Sequence, residues 1–313
     1  MGVNLWLSTT KMTAEIVETP ETHKAGFVNI VGKPNAGKST LMNELVGERL
    51  SIITSKAQTT RHRILGIVNG VDFQIVYSDT PGFIKPKYGL HTAMMRFVKT
   101  ALDDADILLY MIDATEDEDE DLATRVQNAT CTRIILLNKI DAIHPESVQE
   151  KMRALIKKYP NAEILAISAL QKTNTGQIFF KIVENLPVSP PYYPKDELTD
   201  RPERFFVSEI VREKIFKHCR NEIPYSSEVS VVSFKEEPEI IRIECEIFVE
   251  RDSQKAILIG TAGDMLKKIG THARQDMEIF FQKKIYLNLR VKIREGWRNN
   301  AMWLKNFGYQ QAE

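Results

Sequence analysis

Cysteine is scarce in this chain of 313 residues, and the three that occur, Cys131, Cys219 and Cys245, are widely separated. An odd number of distant cysteines does not form a disulfide framework, and their spacing matches no cysteine-based metal site. We therefore expect reduced, buried thiols and a protein of the cytoplasm.

The chain also lacks an apolar run long enough to cross a membrane. Residues 1–24 lack the basic start and apolar centre of a secretory signal, so we expect them to form a flexible lead-in. Hydrophobic residues make up 43% and charged residues 27% of the sequence, which is typical of a folded globular protein. The length allows two domains.

A net charge is lacking too, because 42 basic residues balance 42 acidic ones. The balance hides an asymmetry. Residues 254–313 contain 11 basic and 5 acidic side chains, a net charge of +6, and residues 1–253 carry the opposite charge. A basic C-terminal part indicates a polyanionic partner. The acidic run 116–121 is typical of a solvated loop, and we assign it no function.

What the chain does contain is a phosphate-binding loop. Residues 32–39 match the pattern G-x-x-x-x-G-K-S, between an apolar run, 27–31, and a helical segment, 40–46. Backbone N–H groups of such a loop point at phosphate oxygens, Lys38 reaches the β- and γ-phosphates, and the Ser39 hydroxyl binds Mg²⁺. The residues predicted to bind phosphate are Gly32, Asn35, Ala36, Gly37, Lys38, Ser39 and Thr40.

Two further segments complete the predicted magnesium site. Asp79 follows the apolar run 74–78, at the position that holds Mg²⁺, usually through water, and Gly82 is placed to sense a γ-phosphate. Thr60 lies between these segments, where a switch loop should supply a second hydroxyl. The predicted metal ligands are Ser39, Thr60 and Asp79, and the predicted catalytic residues are Lys38, Thr60, Gly82 and Asn35.

Residues 138–141, Asn-Lys-Ile-Asp, follow the apolar run 133–137 and resemble the guanine-reading N-K-x-D of GTPases. The Asp141 carboxylate can accept hydrogen bonds from the ring N1–H and the exocyclic amine, which only guanine offers together. After a further apolar run, 164–167, a backbone N–H is expected to meet guanine O6. The residues predicted to bind the base are Asn138, Lys139, Asp141, Ser168, Ala169 and Leu170.

Two alternatives share the phosphate-binding loop. A degenerate copy would bind GTP without hydrolysing it. A metabolic kinase would transfer the phosphoryl group to an acceptor, but residues 138–141 and the lack of an acceptor-site domain argue against it. Multiple turnover with water as the only acceptor would separate these alternatives.

Segment patterns predict two domains joined by a linker. Residues 25–186 alternate strand-like and helix-like segments, which predicts a doubly wound α/β domain built on the P-loop. Residues 187–203 are rich in proline and predict a short, stiff linker. The predicted helices of the first domain are 93–103, 147–158 and 175–185.

Residues 204–313 predict a smaller α+β domain. Its first helix, 204–220, is expected to be amphipathic, with Phe206, Ile210, Ile215 and Phe216 in one apolar stripe. The other predicted elements are strands at 228–234, 240–249 and 285–293, one helix to about 269, another to 284, and a terminal helix at 297–307.

The pattern Gly260-x-x-Gly263, between an apolar run and a helix, resembles the loop with which a KH domain grips single-stranded nucleic acid. The alternative is an ordinary turn at the entry to a helix. The preceding helix–strand–strand order, the following lysines and the basic tail favour the KH interpretation. The residues predicted to bind RNA are Gly260, Thr261, Ala262, Gly263, Lys267 and Lys268.

Taken together, residues 25–309 resemble the Era family of bacterial ribosome-assembly GTPases. The most specific segments are 32–41, 56–63, 79–82, 260–270 and 303–309. The resemblance implies a type II KH domain that binds the 3′ end of small-subunit ribosomal RNA, a role in assembly of the 30S subunit, a monomer, and some peripheral association with the inner membrane. Relatives that modify tRNA or bind the 50S subunit fit less well, because one GTPase domain precedes the KH-like tail.

Two differences from the patterns of related proteins, and one similarity to them, affect the expected chemistry. The interior of the G-x-x-G loop, Thr261-Ala262, has no basic side chain. Phe83 stands where Ras-like proteins place a water-orienting glutamine, so we expect slow intrinsic hydrolysis, about 10⁻⁴ s⁻¹ as in unassisted Ras. Asn35 resembles the position at which cation-dependent relatives ligate a monovalent ion, which predicts a role for K⁺.

Overall fold

The computed structural model describes residues 22–309, so most of the predicted lead-in lies outside the described residues. Two sheets organise this part of the chain, one of six strands and one of three. Within it, no helix is both long and apolar enough to span a bilayer.

The first sheet has the strand order β2-β3-β1-β4-β5-β6, and every pair is parallel except β2 with β3. All seven residues of β4 are buried, as expected for a strand covered by helices on both faces. The strands are β1 (Lys24–Gly32), β2 (Ile64–Asn69), β3 (Phe73–Asp79), β4 (Ile107–Asp113), β5 (Thr132–Asn138) and β6 (Glu163–Ala166). The helices are α1 (Lys38–Val46), α2 (Gly89–Asp103), α3 (Glu120–Gln127), α4 (Pro145–Lys158) and α5 (Thr175–Asn185).

The second sheet has the order β7-β8-β9, with β7 antiparallel and β9 parallel to the central β8. Helices cover one face of it, and their buried apolar side chains form a separate core with the strands. The strands are β7 (Glu228–Glu236), β8 (Ile240–Val249) and β9 (Lys284–Ile293). The helices are α6 (Glu203–His218), α7 (Ile223–Ser226), α8 (Asp252–Ile259), α9 (Asp264–Phe281) and α10 (Ala301–Asn306). The predicted α/β GTPase domain followed by an α+β KH-like domain is confirmed.

Three predicted helices differ in the structure. The helices predicted on either side of residue 269 are one helix, α9, because Ile269, Ala273 and Met277 continue a single buried stripe past Gly270. The predicted terminal helix is interrupted, since the Asn300 side chain caps α10 by accepting a hydrogen bond from the Trp303 N–H at 3.1 Å.

Helix α6 has no single apolar stripe. Phe206 joins the core of the first domain, whereas Val207, Val211 and Ile215 join the core of the second. Ile210 is only partly buried, against that second core. A helix packed between two domains is buried on most of its circumference, so the expected polar face is missing.

The proline-rich segment, residues 187–203, packs along the first domain and is held there by hydrogen bonds. The backbone N–H of Ile67 in β2 donates to the carbonyl of Leu198 at 2.8 Å, and the N–H of Tyr192 donates to Oε1 of Gln74 at 2.7 Å. At the far end of the chain, Trp297 and Tyr309 pack against α2. The two domains are therefore joined by packing as well as by the chain.

Candidate functional site

A cleft of about 560 Å³ opens at the carboxyl edge of the first sheet. The loops that follow β1, β3, β4 and β5 meet there, as ligand sites do in open α/β sheets. The predicted residues that line it are Asn35, Gly37, Lys38, Ser39, Thr40, Thr60, Gly82, Asn138, Lys139, Asp141, Ala169 and Leu170.

Glycines allow three loops to approach one another at this cleft. A Cβ atom on Gly37, whose φ is 101°, would lie 2.3 Å from Asn138 Nδ2. A Cβ atom on Gly82 would lie 2.6 Å from the Pro34 backbone. Glycine is therefore required at position 37 by its backbone conformation and the Asn138 side chain, and at position 82 by the neighbouring loop backbone.

Lys38 is held by carbonyl groups of its own loop. Its Nζ atom donates to the carbonyls of Gly32 at 3.2 Å and Lys33 at 2.8 Å. Burial lowers the pKa of Lys38 to about 8, although Asp79 opposes the shift. An anionic ligand in the cleft would favour the charged form of Lys38.

Three oxygen-bearing side chains converge beside Lys38. Asp79 Oδ2 accepts a hydrogen bond from Ser39 Oγ at 2.6 Å, and Ser39 Oγ lies 2.8 Å from Thr60 Oγ1. Asp79 Oδ1 is buried and has no hydrogen-bond partner within residues 22–309, and burial raises the pKa of this carboxyl. Hard oxygen donors around a buried carboxylate with one unpartnered oxygen fit Mg²⁺.

The base-reading segment is built around Asn138. Its Nδ2 donates to the Ala36 carbonyl at 2.7 Å, and its Oδ1 accepts from the Ala169 N–H at 2.9 Å. Asn138 thus ties the phosphate loop to the 168–170 loop. Lys139, at φ 65°, pairs with Asp113 at 2.5 Å, and the Asp141 side chain is exposed at the cleft rim.

Four predicted residues lie behind the cleft wall rather than in it: Gly32, Ala36, Asp79 and Ser168. Other lining residues escape prediction, among them Gln58, Asp113, Thr115 and Glu116. A signal exists for Asp113, because it ends the apolar run of β4 just as Asp79 ends that of β3. Gln58 ends no apolar strand, and only its place in the family-like segment 56–63 marks it.

The switch loop, defined here as residues 54–63, is clamped by the second domain. The buried Arg61 donates from Nη1 to Glu228 Oε2 at 3.0 Å and from Nη2 to the Pro224 carbonyl at 2.8 Å. Arg212 donates to the Thr59 carbonyl, and the His62 ring stacks on Tyr309 at 4.3 Å. Movement of Thr60 must therefore disturb contacts between the domains.

The G-x-x-G loop is a left-handed turn at the start of α9. Gly260, Ala262 and Gly263 have φ values of 77°, 53° and 84°. Thr261 and Ala262 are exposed, so the loop presents its backbone to solvent. This geometry leaves room for close approach of a phosphate.

A groove of about 380 Å³ runs from this loop between α9 and β9. Leu287 and Leu289 contribute apolar surface, and Lys267 and Arg274 contribute positive charge. Lys268, also predicted to bind RNA, is exposed but does not line the groove; it lies near His218. Arg274 and the two leucines extend the predicted site.

Comparison with known proteins covers both domains. The family model described as 50S ribosome-binding GTPase matches residues 27–139, and the KH domain model matches residues 222–298. GTPase Era of Staphylococcus haemolyticus is 42% identical over 92% of this chain and 97% of its own length. GTPase Era of Geotalea daltonii is 42% identical over 93% of this chain and 100% of its own length.

Two solved structures of Era are similar to this chain over most of its length. A crystal structure of Era in complex with MgGDPNP and nucleotides 1506–1542 of 16S ribosomal RNA superposes with a TM-score of 0.87 at 40% identity. Aquifex aeolicus Era bound to GDP and AlF₄⁻, in a variant form, superposes with a TM-score of 0.88 at 40% identity. Each match covers 92% of this chain and 100% of the other. The chain belongs to the Era family of GTPases.

Proposed function

We propose that this protein binds GTP in the cleft, hydrolyses it to GDP and phosphate, and binds the 3′ end of small-subunit ribosomal RNA in the groove beside α9 during assembly of the 30S subunit. The observation that carries the proposal is the presence in one chain of the Lys38–Ser39–Asp79 constellation and a basic-rimmed apolar groove at a G-x-x-G loop. The related Era structure with MgGDPNP and a 16S rRNA fragment supports both halves.

In the cleft, Lys38 would neutralise charge on the β- and γ-phosphates, and loop N–H groups around Gly37 would bind their oxygens. Ser39 and Thr60 would hold Mg²⁺ directly, and Asp79 would hold it through water. When bound, Mg²⁺ supplies positive charge against the charge that develops on the leaving phosphate oxygens. The Gly82 N–H would donate a hydrogen bond to the γ-phosphate and so distinguish GTP from GDP.

At the base, Asp141 would accept hydrogen bonds from guanine N1–H and the 2-amino group, and the Ala169 region would meet O6. Asn138 would act by holding the loops together, since its amide contacts Ala36 and Ala169. Lys139 would contribute the wall of the base site, oriented by its pair with Asp113.

In the groove, N–H groups of residues 260–263 would contact RNA phosphates, and bases would lie on Leu287 and Leu289. Lys267 and Arg274 would add phosphate contacts. Thr60, which would bind Mg²⁺ in the GTP-bound form, is adjacent to Arg61, which binds Glu228 of the second domain. A change in the bound nucleotide would therefore alter the contacts between the domains, and through them RNA binding by the second domain. A monomeric state and peripheral inner-membrane association stay predictions from the family resemblance.

The test of RNA recognition is binding of an oligonucleotide with the 3′-end sequence of the host's own small-subunit rRNA, measured against a scrambled oligonucleotide at several salt concentrations. We expect the native sequence to bind at least about tenfold more tightly, because exposed bases contribute to recognition in addition to phosphate contacts. Equal affinity for both would contradict the proposed rRNA role.

We further propose that K⁺ binds beside the phosphates and accelerates hydrolysis. Asn35 lines the cleft, and its Nδ2 donates to the Ser55 carbonyl at 3.1 Å, so its Oδ1 would be the atom that ligates the cation. A monovalent cation there would supply the positive charge that an arginine finger provides elsewhere.

We expect turnover in KCl to exceed turnover in matched NaCl by about tenfold or more. Asn35→Ala should lose that preference while retaining GTP affinity. The measurement is steady-state phosphate release at constant ionic strength. Equal rates in both salts, or an unchanged preference in Asn35→Ala, would show that Asn35 only shapes the loop.

A further inference from the structure

Gln58 forms the wall between two cavities. It lines the nucleotide cleft, and it is the only described residue that also lines a second cavity of about 500 Å³ between the domains. This second cavity is bordered by Ala57, Ile84, Lys85, Lys87, Tyr88, His91 and Tyr225. Thr60, two residues further along the switch loop, and Gly82, which is placed to sense the γ-phosphate, line the same cleft.

The hydrogen bonds of His91 identify which atom of the Gln58 amide is engaged and which is left to act as a donor. The backbone N–H of Lys87 donates to His91 Nδ1 at 3.3 Å, so the proton of the neutral ring is on Nε2. His91 Nε2 lies 3.1 Å from Gln58 Oε1 and therefore donates to it. With its oxygen occupied, Gln58 has its NH₂ group left as a donor.

His91 is well suited to hold that arrangement. The ring is 4% exposed and lies 3.8 Å from the Tyr88 ring, centroid to centroid. Burial, with nearby cations, lowers the pKa of His91 to about 4, so the ring is neutral at physiological pH. A neutral ring keeps one donor and one acceptor, and both are used here.

The backbone of Gln58 is strained, as are those of Asn35 and Lys139 in the same cleft. Its φ of 60° is left-handed, a conformation that favours glycine and costs other residues about 1 kcal/mol. Phe83, by contrast, does not line the cleft and packs, partly buried, against the core cluster that contains Leu108 and Tyr110. Ras-like proteins place a water-orienting glutamine directly after the glycine equivalent to Gly82, whereas this chain has Phe83 there. The glutamine that lines the described cleft is Gln58, in the switch loop.

We infer that the Gln58 amide orients the water that attacks GTP, and that His91 is the positioning residue that fixes this amide. The inference rests on the proposed hydrolysis of GTP in this cleft. In the step, the water oxygen bonds to the γ-phosphorus and the bond to the β,γ-bridging oxygen breaks, with its electron pair left on GDP. Both protons of the water leave with the product, which is dihydrogen phosphate. Gln58 and His91 are chemically unchanged.

Gln58→Gly is the decisive variant, because glycine accepts the left-handed backbone and removes only the side chain. We expect kcat to fall about 100-fold while the Kd for a non-hydrolysable GTP analogue changes less than about threefold. His91→Ala should lower kcat about tenfold, and His91→Gln, which retains an N–H donor, should restore most of it. Gln149→Ala and His144→Ala, at exposed positions on and before α4, are the matched controls.

The assays are single- and multiple-turnover phosphate release, analogue binding and thermal unfolding on the same preparations. Unchanged kcat in Gln58→Gly would overturn the inference, and so would a fall in kcat matched by an equal loss of analogue affinity. Failure of Gln58→Gly to fold would overturn the strain argument on which it stands. Absence of turnover in the unsubstituted protein would instead contradict the proposed function.

Discussion

Asp141→Asn is expected to weaken GTP binding about 1,000-fold and to make xanthosine triphosphate the preferred nucleotide. The carboxylate of Asp141 would lose two charge-assisted hydrogen bonds to guanine, each contributing about 1.5–3 kcal/mol. The NH₂ group of an asparagine can donate to the 2-carbonyl of xanthine, so the variant should prefer xanthine to guanine. The exposed position of Asp141 at the cleft rim allows the substitution without loss of core packing.

Competition between labelled GTP and unlabelled GTP, ATP or xanthosine triphosphate measures this change directly. Asp72→Asn, at an exposed turn, removes the same charge far from the cleft and is the control. The base assignment would be wrong if the unsubstituted protein bound ATP and GTP equally, or if Asp141→Asn retained its preference for GTP.

Replacing both Thr261 and Ala262 with aspartate is expected to weaken RNA binding at least about 100-fold and to leave GTP affinity unchanged. Two carboxylates beside loop N–H groups would repel the phosphates that those groups are proposed to bind, and such repulsion costs several kcal/mol. Both residues are exposed, and aspartate tolerates the left-handed φ of 53° at Ala262 better than alanine does. The domain should therefore stay folded.

The matched control replaces the same two residues with asparagine, which has the shape of aspartate and no charge. Lys267→Ala should reduce the slope of log affinity against log salt by about one, and Lys268→Ala should have a smaller effect because Lys268 does not line the groove. A folded double-aspartate protein that binds the 3′-end oligonucleotide at full strength would show that the G-x-x-G segment is only a turn at a helix entry.

Local patterns predict the local parts of this molecule well. The phosphate loop needs its glycines, lysine and serine within eight positions, and the segments after β3 and β5 each end a buried apolar strand. Chemistry that is confined to one loop leaves its pattern in consecutive residues. The predicted P-loop domain and the KH-like tail follow from the same kind of pattern, and both are confirmed by the family matches.

Contacts between distant segments escape such prediction. Arg61 and Glu228 are 167 residues apart, and nothing near either of them indicates the other. The same separation in sequence hides the surroundings of α6, whose charged residues are buried partly because the first domain covers them. Gln58 lies in the switch loop and its partner His91 lies in helix α2, 33 residues away, so their contact emerges only from the fold.

The central claim is that one chain joins a GTPase cleft to a groove that recognises the 3′ end of small-subunit rRNA. Ultraviolet crosslinking of the full chain in a lysate of its own cells, followed by sequencing of the attached RNA, tests it most directly. The account predicts that crosslinks concentrate at the 3′ end of small-subunit rRNA and disappear in the double-aspartate variant but not in the double-asparagine variant. Crosslinks that concentrate on tRNA or large-subunit rRNA, or that persist unchanged in the double-aspartate variant, would contradict it.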